Sequence, residues 1–213
     1  MRSLFVPIAL SLAATAVAAP PQRVEIAYEV ARNGTAVAEV SERLEHDGRS
    51  YRLQEIWRGK GIYALRGEAT RSSRGAVVAD GLRPVAFEDK RTGREPLQVQ
   101  FDAAPKSPTL QRQDRLSFVW TFAFAPPREA VNVSVADGKR VAGYLYQVAG
   151  RERIRTPAGE FDALKLVKRR DGPDDRGTEI WLAADRHYLP VRILVTDKAG
   201  VRIDQVAVKI DVQ

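Results

Sequence analysis

Side chains that commonly perform catalysis are scarce in this sequence. It contains two histidines, His46 and His187, and no cysteine, which excludes thiol nucleophiles, zinc–thiolate sites and disulfides. Ser117, His187 and Asp185 supply the residue types of a hydrolytic triad. Ser117 is not enclosed in a Gly-x-Ser-x-Gly motif, the sharp turn that presents the nucleophile in many hydrolases. We therefore expect structural roles for these residues and a protein that is not an enzyme.

Three acidic residues in one short loop have oxygen ligands of the kind that calcium prefers. Asp171, Asp174 and Asp175 nevertheless lack the spacing and the terminal glutamate of an EF-hand loop. Three arginines flank the loop and offset its charge: Arg169, Arg170 and Arg176. This pattern predicts a polar turn, and the sequence implies no metal or other cofactor.

Carboxylates and aromatic rings are the remaining groups that could build a site. Glutamate and aspartate occur on many segments, but spacing along one strand does not fix which carboxylates face each other across a cleft, as glycoside hydrolysis requires. Large aromatic side chains either line an apolar cavity or fill the core. Five aromatic residues are the candidates for lining a ligand cavity: Trp57, Tyr63, Trp120, Phe122 and Trp181.

The elements that position these side chains have the pattern of short strands. Over residues 24–30 apolar side chains occupy every second position, the period of a half-buried strand. Asn33-Gly34 follows, a pair that favours a two-residue hairpin turn because both positions accept positive φ. Similar dipeptides punctuate the later segments: Asp47-Gly48, Asp80-Gly81, Thr92-Gly93 and Asp137-Gly138. Residues 62–70 are predicted to form the fourth strand.

Strands at this even spacing predict a mainly β fold. We expect a single, strongly curved antiparallel sheet, either a half-barrel or an open barrel, with one short helix. A β-sandwich is the alternative architecture.

The predicted helix covers residues 114–123. Its apolar residues recur at helical spacing, and Asp114 is a candidate N-cap. The doubled proline at 126–127 would end it. A strand is the alternative, because the aromatic residues from Phe118 to Phe124 also alternate. We predict a helix that packs on the sheet through Leu116, Val119 and Trp120.

The first 18 residues are typical of an export signal. Arg2 supplies the positive start, residues 4–17 form an apolar run, and Ala18 completes a small-x-small cleavage motif. Cleavage is expected between Ala18 and Ala19, because one position later Pro20 would follow the scissile bond. The run is shorter than the roughly 18 apolar residues of a membrane span. We therefore expect a bacterial periplasmic protein, soluble after cleavage, with one domain over residues 19–213 and no transmembrane segment.

The charge pattern argues against nucleic acid as a partner. The chain has a net charge of +7, but its 34 basic residues are interspersed with 27 acidic ones. The densest basic cluster, residues 165–170, runs directly into the acidic loop that follows it. A solvated strand end explains that cluster, and the sequence leaves the oligomeric state open.

Five motifs occur in an order that is similar to one known family. They are Arg32-Asn33-Gly34, Gly81-Leu82-Arg83-Pro84, Gln113-Asp114-Arg115-Leu116-Ser117, the segment 156–165 and Ile180-Trp181-Leu182-Ala183. Together they resemble the bacterial exported family labelled domain of unknown function 3108, over almost the whole chain from Tyr28 onward. The resemblance implies export and no established activity, so it transfers no catalytic residue.

Three functions follow as hypotheses. The first is a non-enzymatic carrier that binds a lipid or another apolar envelope ligand in the concave face of the sheet. The second is an envelope scaffold that binds a protein partner and no ligand. The third, a hydrolase of envelope glycan or lipid, requires an activated serine or a carboxylate pair in a polar cleft.

Overall fold

The computed structural model describes residues 20–101, 111–136, 138 and 140–213. The predicted signal peptide and its cleavage site at Ala18 and Ala19 lie outside these residues. The described residues form thirteen strands, an α-helix, α1 (Ser117–Phe124), and a 3₁₀ turn (Gly61–Arg66). The strands are β1 (Arg23–Arg32), β2 (Thr35–His46), β3 (Ser50–Gly59), β4 (Glu68–Val78), β5 (Gly81–Arg91), β6 (Leu97–Gln100), β7 (Gln111–Gln113), β8 (Ala130–Ala136), β9 (Val141–Thr156), β10 (Gly159–Lys168), β11 (Gly177–Ala183), β12 (Leu189–Thr196) and β13 (Arg202–Val212).

All thirteen strands belong to one sheet in the order β6-β5-β4-β3-β2-β1-β13-β12-β11-β10-β9-β8-β7. Neighbours are antiparallel except for the short parallel pair β7 and β8. The first and last strands, β1 and β13, pair in the middle and so join the two halves of the chain. The prediction of one antiparallel sheet that is not closed into a barrel, with one helix, is confirmed, and the sandwich alternative is wrong.

The first hairpin forms as its sequence predicts. Asn33 and Gly34 have φ values of 50° and 84°, the left-handed conformation that a two-residue turn with positive φ at both positions requires. At the next hairpin, the Asp47 carboxylate accepts hydrogen bonds from the backbone N–H groups of Arg49 and Ser50, at 2.8 and 2.6 Å. Local turn chemistry therefore sets the register of β1, β2 and β3.

The predicted fourth strand over residues 62–70 is wrong for residues 62–67. The structure has the 3₁₀ turn there, and β4 begins only at Glu68. Gly67 takes a φ of 71°, which breaks an extended backbone before the strand. Gly59 permits the close approach of the turn, because a Cβ at that position would lie 2.3 Å from the carbonyl oxygen of Tyr63.

Helix α1 forms in the predicted segment but begins three residues later than predicted. One carboxylate oxygen of Asp114 accepts hydrogen bonds from the backbone N–H groups of Leu116 and Ser117, at 2.8 and 2.9 Å. Asp114 thereby caps the turn that leads into the helix. The backbone N–H of Leu82 donates to the Thr121 hydroxyl at 2.8 Å and so fastens the helix to β5.

The two faces of α1 enter different parts of the core. Trp120, of which 1% is exposed, joins the larger cluster, which contains Ile26 and Leu53 of β1 and β3 together with residues of β5 and β10–β13. Phe118 and Phe122 pack instead on Leu166, in the cluster formed by β8–β11. The helix therefore lies between the two halves of the sheet, which accounts for its burial on nearly all sides.

Candidate functional site

A cavity of about 760 Å³ lies between α1 and the sheet. Its walls come from strands β2, β3 and β4 on one side and from β8 and β9 on the other, and residues of β10–β13 line the part between them. Ten consecutive strands of the sheet run from β4 to β8, so a flat sheet would hold those walls roughly 43 Å apart at ~4.8 Å per strand. The cavity therefore lies on the concave face of a strongly curved sheet. Its apolar and aromatic walls include Trp57, Phe118, Val119, Trp120, Val135, Tyr144, Tyr146, Ile193 and Val195.

A row of charged side chains crosses the sheet beside this cavity. Glu42 on β2 is the register partner of Glu55 on β3, and Glu55 is the partner of Arg71 on β4. Arg71 in turn faces Asp89 on β5. Residues directly opposite one another in antiparallel strands point to the same face, with Cβ atoms about 5 Å apart. Four neighbouring strands thus place two carboxyl groups, a guanidinium and a third carboxyl group in one line.

Ion pairs occupy the outer part of this row. The Arg71 guanidinium donates to Glu55 and lies 3.3 Å from a carboxylate oxygen of Asp89. Arg91 donates to both oxygens of Asp89, at 3.1 and 2.8 Å. Burial raises the pKa of Asp89, but the hydrogen bonds and charges of the two arginines outweigh it, so the pKa lies below its usual value. Asp89 is therefore a carboxylate with fixed basic partners.

Glu42 differs from Asp89 in its hydrogen-bond partners, which are neutral rather than positively charged. The Trp120 indole N–H donates to it at 2.6 Å and the Gln205 amide at 3.3 Å. Burial and, second, the negative charge of Glu55 raise the pKa of Glu42 to about 8. At neutral pH Glu42 is thus a neutral carboxylic acid, which donates one hydrogen bond as well as accepting others.

The opposite rim of the cavity is polar. Lys168 donates to a carboxylate oxygen of Asp175 at 2.6 Å and lies 4.9 Å from the centre of the Tyr144 ring. Asp171 and Asp174 also line this rim, in the loop that the sequence predicts to be a polar turn. The part of the chain that the structure describes contains no cluster of three or more acidic or histidine residues placed to hold a metal ion.

The five aromatic candidates divide between different places. Trp57 and Trp120 line the cavity on the concave face, and Trp57 and Tyr63 line a second cavity described below. Phe122 is buried against the β8–β11 half of the core. The Trp181 indole N–H donates to Glu152, and its ring lies against the side chains of Lys165 and Arg192, so it lines neither cavity.

The residue types of the hydrolytic triad occupy unlike environments. Ser117 is fully buried, and its hydroxyl accepts a hydrogen bond from the backbone N–H of Asp114 at 3.0 Å. His187 and Asp185 are exposed in the turn between β11 and β12, where His187 takes a φ of 52°. The His46 ring lies 3.0 Å from the carbonyl oxygen of Pro20 and packs on Phe124. These contacts give Ser117 and His46 structural roles.

Sequence reasoning missed the charged row, although the sequence carries a sign of it. Glu42 lies in phase with the buried residues Val40 and Leu44, two positions away on either side. Glu55 likewise follows Leu53 in the inward phase of β3. A carboxyl group in the apolar phase of a strand must find a partner or keep its proton. Such out-of-pattern acids are therefore the signal that marks this site.

The structure is similar to the β-barrel-like protein of domain of unknown function DUF1849 from Brucella abortus, with a TM-score of 0.52 and 8% identity over 91% of this chain and 99% of that one. A protein with a YmcC-like fold from Bacteroides fragilis gives a TM-score of 0.47 and 11% identity over 92% and 99% of the two chains. At such identities the Brucella structure shows a shared fold alone.

Among curated proteins none matches this sequence significantly. In the residues that the structure describes, no helix is long and apolar enough to span a membrane. The model of the family described as "Protein of unknown function (DUF3108)" matches residues 23–206. Because that match covers more than half of the chain and includes every strand from β1 to β12 with the first part of β13, this chain belongs to the DUF3108 family.

Proposed function

We propose that this protein is a non-enzymatic periplasmic carrier that binds a lipid or a similar amphiphile in the concave-face cavity. The observation that supports the proposal is the cavity itself, whose volume of about 760 Å³ falls in the range of small-molecule sites. Aromatic and aliphatic side chains form about half of the lining and charged or polar side chains the rest, a division that suits an amphiphile with an apolar chain and a polar head. In a water-filled compartment, such a cavity shields an acyl chain from solvent.

Glu42 indicates which end of the ligand lies deepest. A neutral carboxylic acid does not attract a cation, and its buried O–H group favours a hydrogen-bond acceptor. An ester or amide carbonyl, as at the root of an acyl chain, supplies that acceptor. The deep end therefore suits an uncharged acyl linkage better than a free ammonium group.

Binding can be tested by titrating the protein with a fluorescent fatty acid and with its methyl ester. We expect saturable binding of both, with the ester bound more tightly because it brings no charge to the neutral Glu42. Ala142 lines the cavity in the same strand phase as Tyr144 and Tyr146, so Ala142→Trp should fill it and abolish binding. Val141 is exposed and points the opposite way, so Val141→Trp is the matched control.

The deeper wall offers a second variant. Trp120→Arg would place a charge inside the cavity, and circular dichroism must show that it folds before its binding is interpreted. If the parent protein binds neither ligand saturably, or if Ala142→Trp and Val141→Trp bind equally well, the carrier function is wrong. The scaffold function would then be favoured.

One observation favours a hydrolase as a second candidate function. Glu42 and Glu55 are opposed carboxyl groups in a partly polar cleft, and Glu42 holds a proton at neutral pH, as a general acid must. Against this candidate, Glu55 is engaged by Arg71. Mass spectrometry of purified peptidoglycan and phospholipid after incubation would decide, because turnover that Glu42→Gln abolishes would identify an enzyme.

A further inference from the structure

A second cavity, of about 980 Å³, opens at the end of the sheet that carries the 3₁₀ turn. It meets the first cavity at Trp57 and Arg71, which line both. Its walls come from the ends of β1–β5, the 3₁₀ turn and the segment that follows β5. The proposed carrier function uses the first cavity only and does not account for the side chains that line the second one.

Arginine dominates the lining of this cavity. Four guanidinium groups line it, and the acidic residue among the lining, Glu68, forms an ion pair with Arg58 at 2.8 Å. The four are Arg32, Arg71, Arg91 and Arg94. Arg71 and Arg91 have fixed carboxylate partners in the charged row. Within the described ranges, Arg32 and Arg94 have no acidic partner, so two exposed guanidinium groups at the cavity mouth remain available to an anion.

The rim beside these arginines is apolar. Ile62 and Leu65 in the 3₁₀ turn are 78% and 90% exposed, more than any other large apolar side chain of the described residues. Residues i and i+3 eclipse one another in a 3₁₀ helix, so both side chains project from the same face of the turn. Tyr63, between them in sequence, lines the cavity instead. The turn that borders the cavity through Tyr63 therefore also carries two bare aliphatic side chains, at the same end of the sheet as Arg32 and Arg94.

We propose that this end of the molecule binds the surface of an anionic lipid bilayer. Ile62 and Leu65 enter the interfacial region of the leaflet, while Arg32 and Arg94 contact lipid phosphates through charge-assisted hydrogen bonds. Binding of a soluble phosphate would use only the arginines. The exposed side chains of Ile62 and Leu65 would be stabilised only by transfer from water into an apolar phase, which a bilayer provides. The combination of basic and aliphatic side chains on one rim is that of a membrane-contacting surface.

The test is co-flotation of the full-length mature protein with vesicles of two compositions. One set is pure phosphatidylcholine, and in the other about a third of the lipid is phosphatidylglycerol. We expect binding to the anionic vesicles and little to the neutral ones, with weakening at high salt. Arg32→Gln with Arg94→Gln should reduce the affinity roughly 30-fold, since each basic residue near an anionic surface contributes about a fivefold factor.

Matched variants separate the surface from general charge and hydrophobicity. Ile62→Gln with Leu65→Gln should also lose vesicle binding, because both side chains are exposed and the fold does not depend on them. Arg153→Gln on β9 and Val212→Gln on β13 change exposed residues elsewhere and should bind as the parent does.

Three results would overturn the proposal. They are equal binding to both kinds of vesicle, unchanged binding of either double variant, and binding of soluble glycerol phosphate without binding of vesicles. None of these measurements involves the concave-face cavity. Failure of the fatty-acid titration with intact vesicle binding would therefore refute the carrier function alone, and the reverse result would refute the membrane surface alone.

Discussion

Replacing Glu42 by glutamine should remove most of the pH dependence of stability that arises inside the cavity. In the folded protein the pKa of Glu42 is about 8, whereas the ordinary value of an exposed glutamate is 4.5. Between these two values the folded state holds one proton more than the unfolded state. The free energy of unfolding therefore falls as pH rises, by about 1.4 kcal/mol per pH unit, until the pH passes the folded-state pKa.

The magnitude follows from that slope. From about pH 6 to about pH 9, only the two units below the folded pKa contribute, so the parent protein should lose roughly 3 kcal/mol of stability through this group. Glutamine is nearly isosteric with the protonated acid and does not titrate. We expect Glu42→Gln to match the parent at the lower pH and to exceed its stability by roughly 3 kcal/mol at the higher pH.

Urea denaturation of the parent protein and of Glu42→Gln across this pH range measures the effect of Glu42 on the free energy of unfolding. The contributions of other titrating groups cancel when the two free energies are subtracted. Glu45→Gln is the matched control, since Glu45 lies on the same strand with a half-exposed side chain. Glu55→Gln provides a second check: without the Glu55 charge the pKa of Glu42 falls, and the pH at which stability is lost should move down. Parallel curves for the parent and Glu42→Gln would show that Glu42 is ionised throughout and refute the reasoning.

Four further predictions concern the helix, the histidines and the amino terminus. Asp114→Ala should cost about 2–3 kcal/mol in urea denaturation, because it removes a cap and leaves buried hydrogen-bond donors unpaired. Trp120→Ala should cost about 3–5 kcal/mol, the range for a large buried aromatic residue, and a smaller loss would place the ring in solvent. The double variant His46→Gln, His187→Gln should retain fatty-acid and vesicle binding, and a folded variant that binds neither would reveal a site at a histidine. If the chain is exported as the sequence predicts, the intact mass of the exported protein should correspond to a chain that begins at Ala19 without added lipid, and a retained Met1 would contradict the predicted signal.

Local patterns predicted the parts of the fold that local chemistry determines. Alternating burial in β1 and the left-handed pair Asn33-Gly34 are consequences of a few adjacent residues, and both are present as predicted. The 3₁₀ turn has no such local pattern, because the apolar residues Ile62 and Leu65 favour a strand in the sequence. Their exposure depends on two glycines. Gly59 lets the turn approach closely and Gly67 adopts a positive φ, and neither property produces a periodic pattern of apolar residues in the sequence.

The site was harder to predict because it depends on register between strands. Glu42 and Glu55 are thirteen positions apart, and only the hairpin at Asp47-Gly48 brings them into direct opposition. A shift of one residue would have turned one of the two side chains to the other face of the sheet. Trp120 reaches Glu42 from a helix 78 positions later in the chain, a contact that no local pattern encodes.

Stability alone does not account for the charged row on the concave face. Apolar residues of similar volume generally stabilise a core as well as a buried ion pair does, or better. The outer members of the row have charged partners, Arg71 with Glu55 and Asp89 with Arg91, but Glu42 receives hydrogen bonds only from neutral donors and gives up its ionised form to remain buried. A leucine there would pack with Val40 and Leu44 and would carry no such penalty. Local rules of packing are typically broken at functional sites, so the neutral acid beside Trp120 is where a bound acyl ligand is expected to make its polar contact.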